Sequence, residues 1–470
     1  MRKGSERPRA SMKQGSIMKR LLATVAIAVL AAGALSGCAG AGSGSKTIKV
    51  AYQTFGAFTQ MDAQMKAVKK EFEAENKGVS VTLVPIAAAE NDYYTKLSLM
   101  NRSASTAPDV LYEDTFLIKS DAQAGYLAPL NSFLSQWKDW SQFPANAKQA
   151  GTGIDGKLYG VSMGTDTRAL WYNKSLLAKA GVDVPWEPKN WADILSAARK
   201  IKATQPGIIP FNVYSGKAQG EGSTMQGLEM LLYGTKDTLF DTSTKKWILG
   251  SKGFSDSLDF VNEVYQTGLG PTPQQGLDVN FGTTITTDLI PNSKLAIDLD
   301  GSWQSGTWLK GGAKPWPEWS NALGVTPMPT QFGQAPGSTS MSGGWTLSVG
   351  SKSTNKDAAW NFVKLALNQK NSKAYDIAAS QIPVRTDVTS DPEYAASNPT
   401  ATFFSSLVKV TNFRPADADY VKVSNAIQVA MESVMTGQQT TKQAVAAYDS
   451  AVKDAVGAKN TMVAGDAKGN

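Results

Sequence analysis

The stretch "KTIKVAYQTFGAFTQMDAQMKAVKKEFEAENKGVSVTLVPI", residues 46–86, contains three structural patterns in succession. Its first part, 46–53, and its last part, 79–86, are each typical of a β-strand. Between them, four apolar residues recur at the spacing of a helix: Met61, Met65, Val68 and Phe72. A strand, a helix and a second strand in this order predict the start of an open α/β sheet.

The same alternation of strand and helix patterns continues along the chain. Strand-like stretches lie at 107–114 (APDVLYED), 295–301 (LAIDLDG) and 344–350 (GWTLSVG). The stretch NWADILSAARKIK, 190–202, predicts a helix with Asn190 as its N-cap and a continuous apolar face. The last third of the chain is mostly helical in pattern. With 470 residues, the chain is long enough for two or three α/β domains.

The only cysteine of the sequence, Cys38, follows a segment that looks like an export signal. Lys19 and Arg20 precede an apolar run, 21–34, which is too short to span a bilayer and is typical of a secretory signal. The next residues, LSGC at 35–38, resemble the lipobox of bacterial lipoproteins, in which the cysteine is lipidated and becomes residue one. The alternative is an ordinary signal peptide in which Cys38 stays an unmodified thiol.

We therefore expect residues 1–37 to be a signal peptide, of which 1–17 are an overlong gene start. Residues 38–45 are then the lipidated cysteine and a flexible Gly/Ala/Ser linker. The segment 1–37 holds seven Lys and Arg and one acid, so it carries +6 of the formal net charge of +7. The mature chain is nearly neutral and has no basic stripe, so we expect no nucleic-acid binding. The lipid would tether the folded body to the extracellular face of the cell membrane.

Several stretches resemble one protein family. Residues 153–185 (GIDGKLYGVSMGTDTRALWYNKSLLAKAGVDVP), together with 190–202, look like the central signature of family 1 extracellular solute-binding proteins, the sugar-binding receptors of ABC importers. Three later stretches keep the family order: 294–306 (KLAIDLDGSWQSG), 322–330 (ALGVTPMPT) and 342–366 (SGGWTLSVGSKSTNKDAAWNFVKLA). The resemblance extends from Lys46 to the C-terminal helix pattern.

The resemblance implies an α/β, two-lobed periplasmic-binding-protein fold with an interlobe cleft and hinge crossings. We expect lobe 1 to comprise 46–161 and a return at 322–378, and lobe 2 to comprise 162–321 and a helical return at 379–470. The implied function is that of a lipid-anchored, monomeric receptor that captures a mono- or oligosaccharide and delivers it to an ABC permease. Catalysis, cofactors and metals are not expected.

A sugar presents hydroxyl groups and flat C–H faces, so its site needs polar side chains and aromatic platforms. Trp303 follows LDG, where the resembling family places a stacking aromatic residue; the alternative is packing between the lobes. Trp345 follows Gly343 and Gly344, which would let a ligand approach the backbone closely.

Five polar residues are further candidates for ligand binding. Glu113 and Asp114 end a predicted strand, and we expect at least one of them to face the cleft. Gln53 follows the first strand. Asp166 follows the first expected lobe crossing, where the alternative is a hinge or capping role. Arg385 comes soon after a return crossing, where its fork of donors could hold vicinal hydroxyl groups.

Functions of other classes are less favoured. The sequence has no histidine, which excludes a Ser-His-Asp triad, a Cys-His pair and any His-ligated metal. In a glycoside hydrolase two carboxyl groups flank one bond, whereas Glu113 and Asp114, adjacent on a strand, point to opposite faces. A receptor for a non-sugar solute such as a polyamine or phosphodiester stays open, as do an adhesin and a ferric-ion receptor using Tyr93 and Tyr94.

Overall fold

The computed structural model describes residues 46–466. The strands formed by these residues are, in chain order, β1 Lys46–Thr54, β2 Val79–Ala87, β3 Val110–Asp114, β4 Gly160–Ser162, β5 Arg168–Asn173, β6 Ile209–Asn212, β7 Phe240–Asp241, β8 Lys246–Leu249, β9 Leu295–Gly301, β10 Leu323–Thr326, β11 Met328–Pro329, β12 Ser338–Ser342, β13 Trp345–Val349, β14 Thr411–Phe413 and β15 Thr461–Val463.

The α-helices of the same residues are α1 Gln60–Glu75, α2 Glu90–Asn101, α3 Ile118–Gln123, α4 Asn131–Leu134, α5 Ala145–Ala150, α6 Lys174–Lys179, α7 Trp191–Thr204, α8 Met230–Leu232, α9 Lys252–Gln266, α10 Pro273–Gly276, α11 Phe281–Thr284, α12 Gln304–Trp308, α13 Trp319–Ala322, α14 Lys356–Ala366, α15 Gln369–Ala379, α16 Thr386–Thr389, α17 Pro392–Ser397, α18 Ala401–Ser406, α19 Tyr420–Met435 and α20 Thr441–Val456. Two π-helical segments, Gly222–Glu229 and Ile285–Leu289, and several short 3₁₀ turns complete them.

The first sheet has five strands in the order β2-β1-β3-β13-β4. β1 is parallel to β2 and β3, whereas β13 runs antiparallel between β3 and β4. α1 covers one face and buries the four apolar residues that the sequence placed at helical spacing. The predicted strand, helix and strand in residues 46–86 are therefore confirmed. We call this sheet and its helices the first lobe.

The second sheet has four strands in the order β10-β5-β9-β6. β5 is antiparallel to both β9 and β10, and β6 is parallel to β9. Its largest apolar core includes α7, α9, α19 and α20, with Ile194, Val261 and Ile427 fully buried or nearly so. The predicted helix at 190–202 is confirmed, and the Asn190 side chain accepts a hydrogen bond from the Asp193 amide at 3.0 Å. We call this sheet and its helices the second lobe.

The pairing of β10 differs from the expected lobe boundary at residue 322. β10 is hydrogen-bonded to β5 in the second sheet, although the sequence placed residue 322 at the return to the first lobe. β5 pairs with β9 along one edge, and β10 pairs with its other edge, which keeps β10 in the second sheet. The chain re-enters the first sheet only at β13. We therefore propose the return crossing at about Gly343, with the other crossings between β4 and β5 and after α15.

Three crossing segments lie side by side and are joined through Thr165 and Asp166. The Thr165 amide donates to the Ile382 carbonyl at 2.9 Å, and the Ile382 amide donates back at 2.8 Å. The Thr165 hydroxyl donates to the Gly343 carbonyl at 2.9 Å, and the Gly343 amide donates to an Asp166 carboxylate oxygen at 2.9 Å. The crossings between the lobes are thus one hydrogen-bonded unit.

Gly344 makes this close packing possible. Its φ is +136°, which side chains rarely allow, and a Cβ atom there would lie 2.6 Å from the Gly164 carbonyl oxygen. The glycine is therefore required for the approach of two crossing backbones. The expectation that Gly343 and Gly344 let a ligand approach the backbone closely stays a prediction.

Among residues 46–466, no helix combines the length and the apolar character needed to cross a membrane.

We predict that Gly344→Ala destabilises the protein by more than the 1–3 kcal/mol that is roughly the cost of an unfavourable backbone conformation alone. Gly311→Ala is the matched control, because Gly311 also has a positive φ, +95°, but a Cβ atom would meet nothing within 4 Å. Urea unfolding measures the free energy of unfolding of both variants. Equal losses would show that the contact with Gly164 does not matter.

Candidate functional site

A cleft of about 1090 Å³ lies between the lobes. The first lobe contributes Gln53 at the end of β1, Asp114 at the end of β3 and Trp345 at the start of β13. The second lobe contributes Asp300 at the end of β9 and Trp303 just after it. Strand ends of both sheets therefore supply the lining, as expected for an α/β sheet. Five of the seven predicted ligand-binding residues line this cleft: Gln53, Asp114, Asp166, Trp303 and Trp345.

Asp114 belongs to an ion-pair network at the base of the cleft. Arg414 donates to both carboxylate oxygens of Asp114, at 2.5 and 3.4 Å, and to Glu221 at 3.2 Å. The guanidinium group also lies over the Phe116 ring, 4.2 Å from its centroid. Tyr94 donates a further hydrogen bond to Asp114 at 2.9 Å. Arg414 thus joins an acid of the first lobe to an acid of the second.

Glu90, at the first position of α2, faces the same cleft. Burial raises the pKa of Glu90 to about 8, and the neighbouring carboxylates of Asp114 and Glu221 add to this effect. Burial similarly raises the pKa of Glu229 to about 8, again with a contribution from Glu221. The cleft and the layer behind it therefore hold carboxyl groups that are protonated at neutral pH.

Asp166 is held by the crossing segments and by Arg168. Besides the Gly343 amide, the Asp166 carboxylate accepts a short hydrogen bond from Arg168, and both side chains are almost fully buried. The Arg168 guanidinium lies 4.7 Å from the ring centroid of Trp303 and occupies one face of that indole. Asp166 therefore lies among the crossing segments, where the alternative of a hinge or capping role would place it, and it also lines the cleft.

Trp345 stacks on Tyr112. Their ring centroids are 4.3 Å apart and the planes differ by only 6°. Tyr94 packs at 6.0 Å from the same indole. Gln53 is fixed nearby, because its amide nitrogen donates to the Ala88 carbonyl at 2.9 Å. The first lobe thus presents a rigid aromatic wall beside an anchored amide.

Of Glu113 and Asp114, at least one of which we expected to face the cleft, only Asp114 does, and the assignment of Glu113 to ligand binding is wrong. β3 alternates its side chains, so Asp114 points into the cleft and Glu113 is fully buried on the other face. Burial raises the pKa of Glu113 well above its usual value, and the carboxyl group of Asp121 contributes further.

The prediction for Arg385 is also wrong. Its guanidinium is buried away from the cleft and donates to both carboxylate oxygens of Asp387, at 3.0 and 2.7 Å. It also donates to Asp139 at 3.1 Å and to the Leu367 carbonyl at 2.8 Å. Its donor fork is therefore used to hold the segment after α15 against the first lobe.

Two tyrosines considered for ferric ion have other partners. The Tyr93 hydroxyl donates to the Tyr112 carbonyl at 2.5 Å, and the Tyr94 hydroxyl donates to Asp114. Within the described part of the chain, no group of three or more carboxylate, thiol or imidazole side chains could hold a metal ion.

The sequence reasoning missed Glu90, Glu221 and Arg414. Glu90 immediately precedes the helical stretch NDYYTKLSL, and an N-terminal position on a helix after a strand was the available signal. The sequence around Arg414 and Glu221 carries no such signal, because their partners lie far away in sequence. Asp114 and Arg414, for example, are 300 residues apart.

The lobes also touch at the cleft mouth. Gln60 of the first lobe donates to the Gly306 carbonyl at 2.9 Å, and Asn91 donates to Gln428 of α19 at 3.2 Å. Gly56 lies so close to the second lobe that a Cβ atom would be 2.1 Å from the Thr283 hydroxyl oxygen. The two lobes are therefore in direct contact beside the cleft.

Comparison with known proteins gives concordant matches. Residues 56–373 match the family described as bacterial extracellular solute-binding protein. The galactooligosaccharide-binding protein of Bacillus subtilis (strain 168) is 22% identical over 383 residues, which are 80% of this chain and 84% of that protein.

Solved structures match over a larger share of the chain. The GacH receptor of Streptomyces glaucescens GLA.O, solved unliganded and in complex with acarbose and an acarbose homolog, is 25% identical, covers 89% of this chain and 100% of its own, and has a TM-score of 0.74. A solute-binding protein of an ABC transporter from Thermotoga lettingae TMO, bound to α-D-tagatose, has a TM-score of 0.75 at 23% identity and covers 88% and 100%.

We predict that Arg414→Met destabilises the protein by about 3–5 kcal/mol, because it leaves two buried carboxylates without their cation. The loss should be larger at pH 8 than at pH 5, since protonation at low pH relieves the unpaired carboxylates. Urea unfolding at both pH values measures this. Arg199→Met is the control, because the Arg199–Glu263 pair is exposed and should contribute at most about 1 kcal/mol. A loss equal to the control would contradict the proposed strength of the network.

Proposed function

The chain belongs to the bacterial extracellular solute-binding protein family, and we propose that it is the substrate-binding component of an ABC importer whose cleft captures a mono- or oligosaccharide. One observation carries the proposal: Trp303 and Trp345, from opposite lobes, line a single cleft together with carboxyl and amide groups. Aromatic faces pack against the C–H faces of a sugar, and the polar groups bind its hydroxyls.

The relatives support the same class of ligand. The Bacillus protein is a galactooligosaccharide-binding protein, the Streptomyces receptor was solved with acarbose, and the Thermotoga protein was solved with α-D-tagatose. The volume of the cleft, about 1090 Å³, lies at the upper end of the range for small-molecule sites and has room for more than one sugar ring.

An anionic solute such as a phosphodiester fits the cleft poorly. Both arginines in its lining are already used: Arg168 pairs with Asp166, and Arg414 pairs with Asp114 and Glu221. A phosphate would have to displace one of these buried pairs. This cost favours a neutral or cationic ligand.

We propose that the ligand is released unchanged. A glycoside hydrolase needs one carboxyl group to donate a proton and a second to act opposite it. Of the adjacent acids that raised this alternative, Asp114 is committed to Arg414 and Glu113 faces the interior. Closure of the lobes around the ligand and reopening at a permease complete the proposed cycle.

We further propose that the protein is a lipoprotein, monomeric and held on the extracellular face of the cell membrane by a lipid on Cys38. Cys38 and the expected signal peptide lie outside the described residues, and the sequence pattern at 21–38 supports this step. A single acyl chain gives only marginal membrane binding, so stable anchoring implies more than one chain on the cysteine.

We predict that a mono- or oligosaccharide raises the melting temperature of the purified protein, because a ligand that binds only the folded state stabilises it. Trp345→Ala should weaken the affinity for that saccharide, measured by titration calorimetry, by about tenfold or more. Trp316→Ala is the control, since Trp316 lies outside the cleft lining. Stabilisation by spermidine or a phosphodiester but by no saccharide would overturn the ligand class, and recovery of cleaved sugar would overturn the non-catalytic role.

We predict that cells expressing the full chain incorporate labelled fatty acid into the protein and retain it in the membrane fraction. Cys38→Ser should abolish both, because it removes the thiol that the lipid would modify. Persistent labelling of Cys38→Ser, or an unlabelled wild-type protein, would rule out the anchor while leaving sugar binding intact.

A further inference from the structure

The interior of the cleft carries more acid than base. Five carboxyl groups line it below the mouth, and two arginines stand among them: the acids are Glu90, Asp114, Asp166, Glu221 and Asp300, and the cations are Arg168 and Arg414. The lining also has three exposed charged residues, Asp92, Lys217 and Lys422. The charge of this interior is therefore not balanced by the protein itself.

Three of the five acids are paired with the two arginines, as described above. Asp300 has neutral partners, since it accepts hydrogen bonds from Tyr214 at 3.0 Å and Gln304 at 2.7 Å. Burial raises the pKa of Asp300 as well. Asp300 therefore needs no further cation.

Glu90 differs from these four acids. Among the described residues its carboxyl group has neither a salt-bridge cation nor a hydrogen-bond donor, and the side chain is half-buried because it faces the open volume of the cleft. Asp114 and Glu221 act on it as repelling charges, while Arg414 and Arg168 attract it more weakly. Glu90 is thus the acid of the cleft whose carboxyl group is available to bind a ligand.

We propose that the saccharide preferred by this cleft carries a protonated nitrogen, and that this cation binds beside the carboxyl group of Glu90. The inference rests on the proposed function, because it specifies which saccharides the receptor selects. An amino sugar meets both features of the site: its ring faces suit Trp303 and Trp345, and its ammonium group offsets the unbalanced acid.

Binding of such a cation involves one proton. In the ligand-free protein Glu90 is mostly protonated at pH 6.5, since its pKa is about 8. An ammonium group beside it favours the ionised carboxylate, so Glu90 releases its proton to the buffer while the ligand keeps its own. The affinity for an amino sugar should therefore rise between pH 6 and pH 7, whereas the affinity for a neutral sugar has no such dependence on Glu90.

The test compares saccharides that differ by an amine. Titration calorimetry at pH 6.5 would compare the β1,4-linked glucosamine disaccharide with cellobiose, and glucosamine with glucose. We expect the nitrogen-bearing member of a pair to bind about tenfold more tightly, which corresponds to about 1.4 kcal/mol. Repeating the titration in phosphate and in Tris, which differ in ionisation enthalpy, should reveal release of nearly one proton with the amine-bearing ligand only.

Glu90→Gln should remove both the preference for the amine-bearing sugar and the proton release. Glu75→Gln, which removes the same charge from an exposed position at the end of α1, should change neither. The proton-release measurement uses the wild-type protein, so the proposal stays testable if Glu90→Gln folds poorly.

The outcomes separate the two proposals. Equal affinity within both pairs, without proton release, would overturn the role of Glu90 and leave the sugar receptor standing. An amine preference that survives in Glu90→Gln would also overturn it, because the cation would then bind elsewhere. Binding of spermidine in the absence of binding by any saccharide would overturn the sugar receptor itself.

Discussion

The hydrogen bonds of Thr165 and Asp166 are the constraint on which the rest of the structure depends. They join the three crossing segments between the two sheets into one hydrogen-bonded base. β13 leaves this base and enters the first sheet between β3 and β4. That insertion brings Trp345 beside Tyr112 and Asp114, so the same crossing that joins the lobes also builds one wall of the cleft.

Burying charge at this base has an energetic cost, and the arrangement of partners limits it. A buried carboxylate must be paired or protonated. Arg414 forms ion pairs with two acids from different lobes, and Arg168 forms an ion pair with Asp166 beside the crossing segments. Two cations thus face three acids, and burial raises the pKa values of the other two acids of the lining, Glu90 and Asp300. The interior of the cleft therefore holds more acid than base, and its charge is not balanced by the protein itself.

The local sequence patterns were enough to predict the α/β class, the helix at 190–202 and the position of the site at the ends of the strands. Alternation along β3 could assign either Glu113 or Asp114 to the cleft, and only the packed sheet decides between them. Arg385 could not be placed, because its acids Asp139 and Asp387 are brought to it by tertiary packing. The same holds for Arg414, whose partners come from the two lobes. Residues that act through distant partners leave no periodic signal in the chain.

Closure and charge are coupled in this arrangement. Glu90 and Asp114 belong to the first lobe and Glu221 to the second, so closing the lobes brings acids of like charge together around Arg414. A ligand stabilises the closed form only by the amount that it prefers that form over the open one. A neutral sugar must supply this difference through stacking and hydrogen bonds alone. A cationic sugar adds an attraction that is strongest when both lobes surround it, because the acids of the second lobe reach it only on closure.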